Sequence, residues 1–299
     1  MADVTRARTG ELLRKLFEIL KAEPEGLPAA EALERLAGSV TLSEYEAGVY
    51  DSGSRRLEQI VRFATVDCVK AGWLIKHKGT WAVTDQGIKA YNELTQPEAF
   101  YKEAVRLYHV WKKRQVATPN VTAEASEALP DEPEKAPSIT FELAEERAWA
   151  EIESFVTAMD PYEVQDMVAD LLKAMGYYPT WTSPPGKDGG LDIIAHPDPL
   201  GTRPPRIKVQ VKRQQQRISR EGLSAFLALV NEEDAGVFFC TGGFTKDAED
   251  FARSQERRKI RLLDLERFVE LWIEHYSKLE NQARERLPLT PIYFLTPKD

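Results

Sequence analysis

What most constrains this chain is a stretch that cannot join a core. Residues 117–138, ATPNVTAEASEALPDEPEKAPS, carry four prolines and five acids with almost nothing apolar. That composition favours an extended or flexible connection over a packed element. It lies near the middle of 299 residues, and each flank is long enough to bury a core of its own. The expected organisation is a first domain over residues 1–96, a helix and flexible linker over 97–138, a second domain over 139–282 and a tail over 283–299.

With 42% hydrophobic and 29% charged residues, the chain reads as a soluble globular protein. No run of 18 apolar residues occurs, and MADVTRARTGELL lacks the apolar middle of a secretory signal. The expectation is a cytoplasmic protein with no membrane partner. Cys68 and Cys240 match neither a zinc spacing nor a disulfide framework, consistent with a reducing compartment. The net charge of -8 argues against wholesale coating of nucleic acid. Local charge says otherwise, because Pro199 to Arg220 holds seven basic residues and no acid.

Before the linker, Leu12, Leu13, Leu16, Phe17 and Leu20 give one amphipathic helix and Ala29 to Leu36 a short second. Leu57, Ile60, Val61, Ala64 and Cys68 give a third, stopped at Gly72. WLIKHKGTWAVT then reads as two short strands around Lys78-Gly79, and TDQGIKAYNEL as a further helix. Three helices and a hairpin describe an α+β winged-helix domain, whose third helix enters a DNA groove while the wing rests on the backbone. Arg55, Arg56, Arg62, Lys76 and Lys78 fall where that DNA face would lie. A module that contacts only protein is the competing reading.

After the linker, Phe141 to Phe155 suggests a bracing helix, and a clearer one begins at Asp160-Pro161. Asp160 is a candidate N-cap, Pro161 occupies N1, and Glu163 completes a capping box. Candidate strands follow at 177–181, 191–195, 206–211, 235–240 and 259–263, with helical patterns around 223–230 and 248–252 and a last helix capped by Asp264. The expected fold is a compact mixed α/β sheet flanked by helices.

Side chains alternate across a strand, so in IKVQVK Ile207, Val209 and Val211 point one way and Lys208, Gln210 and Lys212 the other. If LDIIA is the neighbouring strand, Asp192 meets Gln210 and Lys212, with Gly189 and Gly190 allowing a sharp turn before it. A carboxylate, an amide carbonyl and the backbone carbonyl of Val211 would hold a hard divalent cation. Lys212 would stabilise developing negative charge or orient water. Arg203, Arg206, Arg213 and Arg217 would oppose the repulsion of a polyanionic substrate. The competing reading is the wet face of an edge strand, with Asp192 capping a turn. On the Asp160 helix, Gln165 is placed by angle to reach the same site, whereas Asp166 faces water and Glu163 serves the cap. Thr241, Gly242 and Gly243 offer a weaker phosphate-binding turn, Asp188 a position at the glycine turn or beside an outer-shell water, and His196 a weaker acid-base role.

The string DGGLDIIAHPDPLGTRPPRIKVQVKR, preceded by VADLLKAMGYYP and followed by GVFFCTGGFTKDAEDFA, resembles the catalytic domain of the Mrr family of bacterial restriction endonucleases, within the PD-(D/E)xK nuclease group. GWLIKHKGTWAVTDQG resembles that family's N-terminal winged-helix domain. The resemblance implies an α/β PD-(D/E)xK restriction-endonuclease-like sheet behind the winged helix. It makes Asp192 the metal-binding acid and Gln210-Val211-Lys212 the (D/E/Q)xK element. It further implies a type IV-like endonuclease that uses Mg2+, with Mn2+ as substitute, on foreign or modified double-stranded DNA, working as a homodimer or higher homo-oligomer. The departure is Gln165, where family members often carry glutamate: a neutral amide supplies no charge. A catalytically silent DNA-binding sensor and a structure-selective nuclease remain the alternatives.

Overall fold

The computed structural model describes residues 4–50, 53–115, 132–184, 186 and 189–294. Its contacts divide into two units, one built on residues up to Ala150 together with Tyr293 and Phe294, the other spanning Glu151–Ile292. Among the described residues no helix is long and apolar enough to cross a membrane.

The first unit runs α1 (Arg6–Lys21), β1 (Leu27–Pro28), α2 (Ala29–Ser39), α3 (Arg56–Lys70), β2 (Leu74–His77), β3 (Thr80–Val83), α4 (Asp85–Glu93) and α5 (Pro97–Gln115), followed by α6 (Glu132–Ala158). The apolar stripe of α1 is fully used: Leu12, Leu13, Leu16, Phe17 and Leu20 pack with Leu33 and Leu36 of α2, Leu57 and Val61 of α3, and Phe100 of α5. The hairpin turns through Lys78 (φ 45) and Gly79 (φ 79), the pair of positive φ values that a two-residue turn needs to match strand twist. The two residues of β1 pair with β3 and give the three-stranded order β1-β3-β2 of a winged helix. That strand is too short to leave a sequence signal.

Three boundaries differ from the sequence reading. Of the linker, residues 116–131 lie outside the described residues, while 132–138 already belong to α6. Pro133 falls in the first turn, where its missing N–H has no intrahelical acceptor to lose. Residues 139–150, assigned to the second domain, belong with the first unit. Ile139 packs with Val66 and Tyr108, and Glu142 and Glu146 pair with Arg62. The assigned tail contributes to the second unit, where Ala283 and Leu287 are buried.

The second unit comprises α7 (Pro161–Ala174), β4 (Tyr178–Thr182), β5 (Ile193–His196), β6 (Ile207–Lys212), α8 (Arg220–Leu227), β7 (Ala235–Cys240), α9 (Lys246–Arg253), β8 (Lys259–Asp264), α10 (Leu265–Glu274) and α11 (Asn281–Arg286). Its sheet has the order β4-β5-β6-β7-β8. The first two pairings are antiparallel and the last two parallel, so β6 is the strand at which direction changes. The capping box at α7 is formed: the Asp160 carboxylate accepts from the Tyr162 N–H at 2.8 Å and Glu163 reaches back to the Asp160 N–H. One face of the sheet, carrying Phe239, packs on Phe268 and Trp272 of α10. The other, carrying Phe238 and Cys240, packs on Leu223, Phe226 and Leu227 of α8 and Ala248 of α9.

Candidate active site

Asp192 stands one residue before β5, at the point where the β5–β6 ladder ends. The register Ile193↔Val209 brings it opposite Gln210. Its backbone N–H donates to the Val209 carbonyl at 2.9 Å, and its Oδ2 accepts from the Val211 N–H at 2.7 Å. The main chain and side chain of Asp192 therefore bracket Gln210 from both sides, and rotation of the carboxylate away from β6 would break the bond to a half-buried N–H. Asp192 and Gln210 are 7% and 8% exposed, so the pair is held in a largely dry environment. Gly190 lies against Gln210: a Cβ there would stand 3.7 Å from the amide nitrogen and 3.1 Å from Leu229, at a backbone φ of +87°. This is the physical need for glycine in the turn before Asp192.

Lys212 follows two residues after Gln210 and so shares its face of the strand. The parallel register pairs Gln210 with Phe238 and Lys212 with Cys240, which sets both on the side covered by α8 and α9. Burial pushes the Cys240 thiol up, opposed in part by the backbone N–H groups of Gly242 and Gly243 and, least, by the Lys212 ammonium. A buried protonated thiol makes no nucleophile, and Cys240 belongs to the core. The third polar residue on that face, Lys208, is spent structurally: it meets Asp234 at 2.9 Å and donates to the Leu229 carbonyl.

Gln165 is 5% exposed on α7 and donates from Nε2 to the Ser183 carbonyl at 2.9 Å. Ser183 in turn donates its N–H to the Asp192 carbonyl at 2.8 Å. The structure thus joins Gln165 to the backbone of Asp192 through one residue. Ser183 was not singled out by the sequence, since nothing local marks a carbonyl as an acceptor. The two acids flanking Gln165 are engaged elsewhere, Glu163 in the cap and Asp166 with Arg286 at 3.1 Å.

The Thr241-Gly242-Gly243 turn is explained by packing. Thr241 Oγ1 donates to the Gln214 carbonyl and accepts from its N–H, and a Cβ on Gly242 would lie 2.5 Å from the Gln215 carbonyl oxygen. The turn locks the chain that leaves Lys212. Asp188 lies outside the described residues, and His196 pairs through Nδ1 with Thr180 Oγ1 at 3.1 Å.

The expected DNA contacts separate into two groups. Arg55, Arg203, Arg213 and Arg217 are exposed, with Arg213 anchored to the Thr157 carbonyl. Arg206 pairs with Asp234 at 3.0 Å. Lys78 lies near Trp149, and Arg56 stacks over Tyr45 and Tyr50. Arg62 and Lys76 correct the expectation of an open basic face. Their side chains are 6% and 11% exposed, because Glu142 of α6 lies between them.

A mixed five-stranded sheet flanked by helices, with an acid at the end of one central strand and Gln-x-Lys on the next, defines a restriction-endonuclease-type nuclease domain of the PD-(D/E)xK class. The Asp192 carboxylate and the Gln210 amide are oxygen donors of the type that a hard divalent metal takes. The family model described as "Restriction endonuclease", Mrr_cat, matches residues 156–272, and that of the Mrr N-terminal domain matches residues 10–93. The chain belongs to the Mrr family of restriction endonucleases and is a DNA-cleaving enzyme. It is similar to the "Type IV methyl-directed restriction enzyme EcoKMrr" of Escherichia coli (strain K12), with 27% identity over 301 residues, 95% of this chain and 97% of that protein. Among solved structures, MspJI restriction endonuclease in complex with a 27-mer oligonucleotide matches at 15% identity and a TM-score of 0.33. That match covers 73% of this chain and 55% of the MspJI chain, a likeness too weak to transfer anything.

Proposed function

We propose that this endonuclease cuts modified double-stranded DNA at a Mg2+ site built from Asp192, Gln210 and the backbone carbonyl of Val211, with Mn2+ able to substitute. The observation that carries the reading is the double attachment of Asp192 on either side of Gln210, through the Val209 carbonyl and the Val211 N–H. It fixes the anionic donor in place beside the residue that carries the neutral one. When bound, such a cation polarises a phosphoryl oxygen and makes water a better nucleophile.

The remaining work belongs to the chain. Asp192 supplies the single negative charge of the donor set, and Gln210 a carbonyl that stays neutral at every pH of interest. Lys212 places an ammonium beside the scissile phosphate to stabilise charge that develops there. Gln165 is a positioning residue, holding the Asp192 backbone through Ser183. Exposed Arg203, Arg213 and Arg217 line the approach of the phosphate backbone, which they reach without reading bases.

The first unit selects DNA and the second cuts it. The methyl-directed activity named for EcoKMrr supports modified bases as the signal. A homodimer supplies one such site per strand, and DNA as substrate is consistent with a cytoplasmic setting. The test is cleavage of methylated and unmethylated duplexes with Mg2+, with Mn2+ and with chelator. Cutting of methylated duplex that stops on chelation is expected. DNA binding that persists with no cutting under any metal would instead favour a silent sensor.

A further inference from the structure

The face that a winged helix offers to DNA, its third helix and its wing, is occupied here by another part of the same chain. Glu142 and Glu146 are one turn apart on α6 and share a side of that helix. Glu142 Oε1 accepts from Arg62 Nη1 at 2.6 Å and from Trp81 Nε1 at 3.2 Å, while its Oε2 meets Lys76 Nζ at 2.7 Å. Glu146 Oε2 accepts from Arg62 Nη2 at 3.0 Å. At the wing tip, Gly79 abuts the same helix, and a Cβ there would stand 2.8 Å from Glu146 Cγ. Lys78 Nζ lies 5.2 Å from the Trp149 ring centre. At the other end Ile139 is buried against Val66 of α3.

A guanidinium and an ammonium converging on the two oxygens of one carboxylate is also how Arg and Lys hold a phosphate. Buried ion pairs stabilise a fold weakly, because desolvation offsets their attraction. Burial indeed pushes Lys76 down to about 8, with Glu142 opposing the shift. A segment that meets Arg62 and Lys76 through such pairs can be exchanged for a ligand that returns the same charge to them.

We infer that residues 139–149 are an intramolecular phosphate mimic that keeps DNA off α3 and the wing until this segment is displaced. The inference rests on the reading that the first unit binds DNA through that face. DNA binding there and release of the segment are then one equilibrium, and the acids set its midpoint.

The test is hydrogen exchange on the intact wild-type chain, metal-free, with and without a short methylated duplex. Protection that rises across 56–70 and falls across 139–149 is the expected result. Protection that rises across 56–70 while 139–149 stays unchanged overturns the mask and leaves the DNA reading standing. No rise across 56–70 overturns the DNA reading and the mask with it. In parallel, E142Q/E146Q is expected to bind the duplex about tenfold tighter, and R62Q/K76Q added to it to remove the gain. Unchanged affinity in a folded E142Q/E146Q chain contradicts the mask; should that variant lose its fold, the wild-type exchange pattern decides alone.

Discussion

The Asp192 carboxylate accepts a 2.7 Å hydrogen bond from the Val211 N–H, at the place where the two strands stop pairing through their backbones. A side chain thus continues the ladder one step further.

Gln165 tests whether that position depends on the helix behind it. Its Nε2 donates to the Ser183 carbonyl in a buried setting. Gln165→Ala leaves this carbonyl unpaired and is expected to cost about 1–3 kcal/mol, read as a lower denaturation midpoint together with a reduced cleavage rate. Gln165→Glu, which replaces the donor by an acid, is expected to destabilise similarly without raising metal affinity. Tighter metal binding in Gln165→Glu would show that this position ligates instead.

Lys76 gives a pH signature. Burial lowers it to about 8 from 10.5, so below about pH 8 it is charged in both states and the folded chain bears the desolvation cost. Between those values the unfolded chain binds more protons, and the contribution of Lys76 to stability rises with pH, by at most about 1.4 kcal/mol per unit. Chemical denaturation of the wild type and Lys76→Met across this window should show the wild type gaining on the variant. A constant or falling difference would contradict the buried ammonium.

Arg286 ties the C-terminal helix to α7 by pairing with Asp166 at 3.1 Å and with the largely buried Asp170. Arg286→Ala leaves Asp170 without that partner and is expected to lower stability by about 1–3 kcal/mol. Cleavage at a temperature where the variant is folded should be unchanged. A loss of cleavage in the folded variant would mean that α11 does more than brace.

Much of the fold was legible because its signals are local. Asp160, Pro161 and Glu163 announce a helix start within four residues, and the alternation in IKVQVK sorts Val209 from Gln210 before any partner strand is known. Lys78-Gly79 likewise marks the wing. What the sequence could not disclose are partners chosen across long separations. Arg62 and Lys76 read as open cations because Glu142 lies 80 and 66 residues away, and an acid pair spaced four apart on a helix looks like ordinary solvent-facing charge. The same blindness hid Ser183 behind Gln165 and sent Ala283 and Leu287 to a tail. Asp192, Gln210 and Lys212 were singled out because the proposed chemistry asks for those residue types in adjoining strands. The bonds through Val209 and Val211 that fix Asp192 opposite Gln210 needed the fold.

The most direct test of the central claim compares cleavage of methylated duplex DNA with Mg2+ by the wild type, Asp192→Asn and Lys212→Met, each shown by its melting curve to be folded. Asp192→Asn keeps an acceptor for the Val211 N–H while removing the charge, and Lys212→Met removes only the ammonium. Each variant is expected to lose cleavage by at least about a hundredfold while still binding the duplex. Cleavage near the wild-type rate in either folded variant would contradict the central claim.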